Sequence, residues 1–184
     1  MTTQAFAESV FDYPRDPEFV VIEFTHVEDM LEDADPTPLL RIYGDGRVLV
    51  HYPAYMKRAG DYEMRLTDAN LQQLLLSLEQ KNIFNLSSAR VTQLKQQAAV
   101  RRFEQTKKLT KRSDSIHSIV NIKLGTYIPA TTGVTQTNFA QRVSLKNLKW
   151  NTKIYPEVAE LRSAADAEVE LSKFLNHPEL KKIK

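Results

Sequence analysis

The basic stretch near the middle of the chain has the clearest chemical character. Eight Lys or Arg residues and one Glu fall between residues 90 and 112, which gives a net charge of +7. Its densest part contains Arg101, Arg102, Lys107, Lys108, Lys111 and Arg112. Each of these cations can neutralise one phosphate and release counterions, so nucleic-acid binding is one function that they suggest. Phe103 is the only aromatic residue in that part, which gives base stacking little support and leaves a solvated basic surface as the alternative.

An acidic stretch precedes it. Residues 1–36 hold ten acidic groups and one basic group, a net charge of −9, whereas the whole chain carries +2. Five of the carboxylates fall between Glu28 and Asp35. Their spacing lacks the alternating ligands, central glycine and terminal glutamate of a calcium loop, so we expect a solvated loop and no metal. The acidic and basic parts of the chain can dock on each other or attract different partners.

Other catalytic and cofactor-binding patterns are missing from the sequence. It has no cysteine, which excludes disulfides, thiolate metal sites and a cysteine nucleophile. It also has no glycine-rich phosphate loop and no serine nucleophile elbow. The four histidines fall in separate segments: His26, His51, His117 and His177. None of them forms a ligand pair on one helix face, so the sequence predicts neither a metal nor a cofactor.

A predicted hairpin is central to the fold. The runs 39–43 and 47–52 flank Gly44-Asp45-Gly46, a strong turn signal. A three-residue loop pairs Ile42 with Val48 and leaves one face apolar, whereas a two-residue turn mixes apolar and polar side chains on both faces. Because a slip of one residue exposes every apolar side chain, we predict the longer loop, with Gly46 left-handed.

A leucine-rich helix should cover this hairpin. Gly60 to Leu66 alternates as a third strand and leads into Thr67, a good helix N-cap. The following leucines have helical spacing: Leu71, Leu74, Leu75 and Leu78. Asn82 is a suitable left-handed end for this helix.

The remaining segments predict further strands and two more helices. Strands are expected over 18–27, over 115–124 and from Phe139 towards Trp150. In the last of these the apolar period breaks near Asn147, which suggests a bulge or an early end. A helix should begin at Ser87 or Ser88 and continue to Phe103. Residues 125–138 read as a long exposed connection. Pro156 should open a final helix, whose apolar residues are Val158, Leu161, Ala165, Val169 and Phe174, and Asn176 should end it.

The length of 184 residues fits one domain. Residues 1–17 are expected to be a loosely ordered arm, 90–112 a basic insertion and 179–184 a frayed tail. The sequence has no apolar run long enough for a membrane span and no recognisable export signal, so we expect a soluble, cytoplasmic protein.

These elements predict an α+β fold. A mainly antiparallel sheet of five or six strands should carry two helices on one face, with an additional basic helix around 88–110. The other face should be partly open, with Arg41, Tyr43, Leu49 and Ile119 on it. Apolar side chains beside tyrosine and arginine suit a protein contact.

Three functions follow from this arrangement. The first is a non-enzymatic interaction module that uses the open face, including self-association through it. The second is nucleic-acid binding through the basic stretch. The third is an enzyme whose site lies between the sheet and the 125–138 connection, near His117 or Glu23.

Parts of the sequence resemble a widespread bacterial family of uncharacterised domains. The runs that carry this resemblance are LLRIYGDGRVLVHYP, GDYEMRLTDANLQQLLLSL and NIFNL. The resemblance covers roughly residues 19–86 and, more faintly, 115–175, and the basic stretch looks like an insertion into it. It implies an α+β domain and brings no known activity or catalytic residue.

Overall fold

The computed structural model describes residues 8–28, 35–108 and 115–183. These residues form an antiparallel sheet of eight strands with four α-helices, which confirms the α+β class. The strands are β1 Val10–Asp12, β2 Val20–Glu28, β3 Leu40–Tyr43, β4 Arg47–Tyr52, β5 Gly60–Arg65, β6 Ile116–Ile128, β7 Gln136–Lys146 and β8 Lys181–Lys182. The helices are α1 Asp68–Gln80, α2 Ser88–Thr106, α3 Leu148–Ile154 and α4 Ala159–Leu175. A short 3-10 helix, Ile83–Asn85, joins α1 to α2.

Strand β6 organises the sheet. It pairs with β7 along one side, while β2 and β1 pair with successive parts of its other side. From β2 the sheet continues through β3, β4 and β5 to β8.

Two of the eight strands come from segments that were expected to be loose. Phe11 and Tyr13, in the expected arm, are buried, and the Phe11 ring stacks on Tyr127 with the ring centroids 5.6 Å apart. In the expected tail, Lys181 and Lys182 pair with Glu63 and Tyr62 of β5. Aromatic burial therefore orders the described part of the arm, and backbone pairing orders the tail.

The predicted hairpin register is confirmed. Ile42 pairs with Val48, and Leu40 with Val50. Gly46 has a φ of +83°, and a Cβ built on it would lie 2.3 Å from the carbonyl oxygen of Leu66. Both the conformation and the close approach require glycine at this position.

The predicted leucine-rich helix is also confirmed as α1. The Thr67 hydroxyl accepts a hydrogen bond from the Asn70 amide at 3.2 Å, and Asn82 adopts the left-handed conformation at φ 58°. The four leucines of the predicted stripe are buried. They belong to one core cluster with Leu161 and Leu171 of α4, so α1 and α4 share the core side of the sheet.

Two predictions for the second half of the chain are wrong, and the early strand end near Asn147 is confirmed. Half of the expected 125–138 connection is strand, because 125–128 belong to β6 and 136–138 to β7, and the connection is only 129–135. The strand from Phe139 ends at Lys146, where Asn147 turns left-handed at φ 50° and starts α3. Helix α4 begins at Ala159 instead of Pro156.

The predicted apolar stripe of the last helix is also partly wrong. Val169 is 62% exposed, and the buried residues of α4 are Leu161, Ala164, Ala167 and Leu171. Ala164 and Ala167 are small enough to let the helix approach the sheet closely, so the face that the helix buries is not the one with the large side chain of Val169.

Candidate functional site

The sheet face opposite the core, called the outer face here, is occupied by a polar network. Glu23 lies between two neighbours on adjacent strands, Arg41 and Asn121. The Arg41 Nε lies 3.2 Å from Glu23 Oε2, and Asn121 Nδ2 donates to Glu23 Oε1 at 3.0 Å. Arg142 then donates to Asn121 Oδ1 at 3.0 Å. The central charges of the outer face therefore already have partners within the chain.

The predicted contact residues on this face differ in exposure. Tyr43 is only 8% exposed, because the Arg47 guanidinium lies over its ring at 4.2 Å from the centroid. Arg47 also donates to the carbonyl of Pro17 at 2.9 Å, which holds this cover in place. Leu49 and Ile119 are half-buried. The apolar surface left for a partner is smaller than the alternating pattern indicated.

The basic helix α2 packs on its own domain through its first part only. Val91 and Ala98 are buried, and the Ser88 hydroxyl accepts a hydrogen bond from the Ser144 amide of β7 at 2.9 Å. From Val100 onward every described residue of this segment is exposed. Residues 100–108 are called the α2 end here.

The α2 end combines positive charge with apolar side chains. Four of the predicted nucleic-acid residues lie on it and are exposed: Arg101, Arg102, Lys107 and Lys108. With Glu104 they give a net charge of +3 over 100–108. Val100 is 53% exposed and Phe103 is 41% exposed. The other two predicted residues, Lys111 and Arg112, lie outside the described residues.

A cleft of about 470 Å³ lies between the sheet, α3 and α4. His26 of β2 and Ser118 of β6 are direct cross-strand partners at its base. Glu168 of α4 faces them. The cleft is lined by His26, Ile116, Ser118, Asn147, Leu148, Lys149, Trp150, Lys153 and Glu168.

His26 and Glu168 are in contact but do not form a full hydrogen bond. The His26 Nε2 and Glu168 Oε1 atoms are 3.4 Å apart, which is long for a hydrogen bond. Burial alone would raise the pKa of Glu168, but His26, Ser118 and the charge of Lys149 outweigh burial and lower it. Glu168 therefore stays ionised at neutral pH. His26 Nε2 and Glu168 Oε2 are buried and have no hydrogen-bond partner among the described residues.

Helix α3 supplies the opposite wall of the cleft. Lys149 and Lys153 are four residues apart and therefore lie on one side of this helix, next to Trp150. Asn147 fixes where the helix starts, because its amide donates to the Ile116 carbonyl at 2.7 Å and its side-chain oxygen accepts from the Ile116 amide at 3.1 Å. The sequence indicates a bulge or an early strand end near Asn147 but no helix after it, so it does not predict the cleft.

A second polar cluster lies on the outer face at the end of β4. The two ring nitrogens of His51 contact two carboxylates, Asp61 Oδ1 at 2.6 Å and Asp35 Oδ2 at 2.8 Å. Burial alone would lower the pKa of His51, but the hydrogen bonds and charges of Asp61 and Asp35 outweigh it and raise the pKa. Hydrogen bonds from Thr37 and His51 lower the pKa of Asp35 to about 2. This cluster fastens the chain at Asp35 to the sheet.

The enzyme site predicted beside the 125–138 connection does not coincide with the cleft that His26 and Glu168 line. The 129–135 connection follows the end of β6, whereas the cleft lies at its start, roughly 40 Å away along a 13-residue strand. Glu23 is part of the outer-face network, and His117 lines a separate cleft of about 270 Å³ beside α2.

Among residues 8–28, 35–108 and 115–183 there is no group of three or more His, Asp or Glu side chains arranged to hold a metal ion. Within the same residues, no helix has the length and apolar character to cross a membrane.

Comparisons with known protein families, with curated proteins and with solved structures found no match. The resemblance to a bacterial domain family therefore stays a prediction.

Proposed function

We propose that this chain is an interaction module whose docking element is the α2 end, residues 100–108. The partner that suits it is a protein segment with acidic and apolar side chains. One observation carries this proposal: Val100 and Phe103 are 53% and 41% exposed at the end of a helix that also carries four exposed cations. Exposed apolar groups bordered by charge are typical of protein contacts.

The charge of the α2 end favours an acidic partner. Arg101, Arg102, Lys107 and Lys108 outnumber Glu104, and the cations at 107 and 108 follow the negative end of the helix dipole, which stabilises them there. Complementary charge raises association rates and disfavours basic partners. The outer face supports docking less well, because Arg41 is already paired with Glu23 and Tyr43 is covered by Arg47.

A protein partner is favoured over a nucleic acid by the apolar side chains. Phosphate contacts need only the cations, and the single aromatic ring of Phe103 offers one base a stacking surface. Val100 has no role in either contact. Burying both Val100 and Phe103 requires a partner with apolar groups, which is a property of proteins.

The test compares two labelled probes by fluorescence polarisation. One is a peptide of Glu and Leu residues at helical spacing, and the other is single-stranded DNA. Two variants separate the contributions: Val100→Ser with Phe103→Ser removes the apolar part, and Arg101→Gln with Lys107→Gln and Lys108→Gln removes charge. Val169→Ser, at a 62% exposed position on α4, and Lys123→Gln, exposed on β6, are the matched controls.

We expect the peptide to bind, and both α2 variants to weaken it while the controls do not. DNA binding that falls steeply between about 50 and 200 mM salt and is unaffected by the Val100 and Phe103 changes would make the protein a nucleic-acid binder instead. Light scattering on the same variants identifies a second copy as the partner if an oligomer is lost in the variant that combines Val100→Ser with Phe103→Ser. Peptide binding that is equal in all variants would refute the α2 end as the docking element.

A further inference from the structure

We propose that the cleft between β2, β6, α3 and α4 binds a small organic anion. Lys149 and Lys153 hold its carboxylate or phosphate, and Glu168 accepts a hydrogen bond from a donor group of the same molecule. This site is separate from the α2 end and adds a small-molecule ligand to an interaction module.

The positive side of the cleft selects an anion. Lys149 and Lys153 stand one helical turn apart and both line the cleft. A lysine ammonium is a compact point charge with three donors, which suits either carboxylate or phosphate. Two of them on one wall outweigh the single carboxylate of Glu168, so the cleft has an excess of positive charge.

Glu168 of α4 supplies a hydrogen-bond acceptor to the cleft. Buried polar atoms in folded proteins are nearly always hydrogen-bonded, yet Glu168 Oε2 and His26 Nε2 have no such partner among the residues that the structure describes. Of these two atoms, Glu168 Oε2 can only accept a hydrogen bond, because the carboxylate is ionised. A ligand with an ammonium or hydroxyl group provides the donor that this oxygen needs.

The dimensions and remaining lining of the cleft fit a small molecule. About 470 Å³ falls within the roughly 300–1,000 Å³ range of small-molecule sites. Trp150 and Leu148 contribute apolar surface to the wall formed by α3, against which the carbon skeleton of a ligand packs. The two lysines lie on α3 and Glu168 lies on α4, so a ligand that carries both an anion and a donor group can contact both helices.

The experiment uses Trp150 as its reporter, because it is the single tryptophan of the chain. Its emission is followed during titration with four probes at constant ionic strength: butyrate, 4-aminobutyrate, ethyl phosphate and phosphoethanolamine. These probes combine a carboxylate or a phosphate with or without an ammonium group. Neutral butanol is the fifth titrant, and thermal unfolding checks that each variant is folded.

We expect saturable binding of at least one anionic probe, and tighter binding of its ammonium-bearing counterpart. Replacing both lysines, Lys149→Met with Lys153→Met, should raise the Kd at least about tenfold, whereas Lys123→Met, outside the cleft, should leave it unchanged. Glu168→Gln should remove the preference for the ammonium-bearing probe. Whether carboxylate or phosphate binds more tightly identifies the anion.

Three results would overturn this inference. They are no saturable change with any probe, butanol binding as tightly as the anions, and unchanged affinity in the lysine double variant. None of these outcomes bears on the peptide-binding test of the α2 end, which changes different residues.

Discussion

Replacing His51 with glutamine should destabilise the protein in a pH-dependent way. The His51 ring contacts Asp61 and Asp35 at 2.6 and 2.8 Å, and its side chain is 18% exposed. A buried hydrogen bond to a charged group contributes about 1.5–3 kcal/mol, whereas an exposed ion pair contributes about 0.2–1 kcal/mol. Because Asp61 is partly exposed, we assign about 1 kcal/mol to its contact and expect His51→Gln to cost about that much near pH 6.

The direction of the pH effect follows from the raised pKa of His51. A group that binds its proton more tightly in the folded state stabilises that state fully below its unfolded pKa, about 6.5 for histidine. The stabilisation is lost as the pH rises through the higher folded-state pKa, because a neutral ring donates from only one nitrogen. Asp35, whose pKa is lowered to about 2, stays ionised throughout this range and does not oppose the trend.

Urea unfolding followed by Trp150 emission measures this prediction. At pH 6 the free energy of unfolding should fall by about 1 kcal/mol in His51→Gln, equivalent to roughly 2–4 °C in Tm for a domain of this size. The difference should shrink towards pH 9. His177→Gln is the control, because the His177 ring stacks on Phe174 and its Nδ1 accepts a hydrogen bond from the Glu179 amide.

A double-mutant cycle with Asp61→Asn isolates the pair. We expect a coupling energy of about 1 kcal/mol at pH 6 and less at pH 9. A destabilisation that is the same from pH 5.5 to pH 9, or a coupling of zero, would show that His51 acts only through packing and that the electrostatic reasoning is wrong.

Two further predictions concern the hairpin and the core. Gly46→Ala should destabilise the protein by more than about 2 kcal/mol, because the new Cβ would lie 2.3 Å from the Leu66 carbonyl oxygen. Gly133 also has a positive φ but no atom within 4 Å of a new Cβ, so Gly133→Ala should cost about 1 kcal/mol. Urea unfolding of both variants checks this, and equal losses would contradict it. Leu75→Ala removes a fully buried side chain of α1 and should cost about 2–5 kcal/mol, whereas Leu76→Ala, at a partly buried position, should cost less in the same assay.

The hairpin and α1 could be predicted from sequence because their signals are local. Only one register of Ile42 against Val48 leaves a single apolar face, and Gly46 marks where the chain turns. Thr67, the buried leucines and Asn82 define the start, the packed face and the end of α1 within sixteen residues. In both elements the local backbone preferences and the apolar period predict the same structure, so tertiary contacts do not change it.

Helix α3 and the cleft could not be predicted in the same way. Residues 148–154 are too short and too polar to show a helical period, and the left-handed Asn147 that starts them looks like a break in a strand. His26, Ser118 and Glu168 are far apart in sequence and meet only because β2 pairs with β6 and α4 packs above them. The predicted apolar stripe of α4 placed Val169 in the core, so its neighbour Glu168 was not predicted to line a site.

The contacts of α3 also decide how precisely the cleft can hold a ligand. Asn147 ties its start to β6, and the Thr152 hydroxyl donates to the Leu148 carbonyl at 2.9 Å and lies 3.4 Å from the Leu161 carbonyl of α4. At its other end, Arg102 of α2 donates to the Ile154 carbonyl at 3.4 Å. The wall that carries Lys149 and Lys153 is therefore fixed on both sides, as a site that positions a small anion requires.

The contact of Arg102 with Ile154 also determines which variants are informative. Replacing Arg102 would alter the α2 end and loosen α3 together, so a loss of either binding activity could not be attributed to one site. Arg101, Lys107 and Lys108 have the same charge and exposure, and they are the residues to change at the α2 end. With Arg102 kept, a loss of peptide binding that leaves the Trp150 titration unchanged assigns the two activities to two separate surfaces.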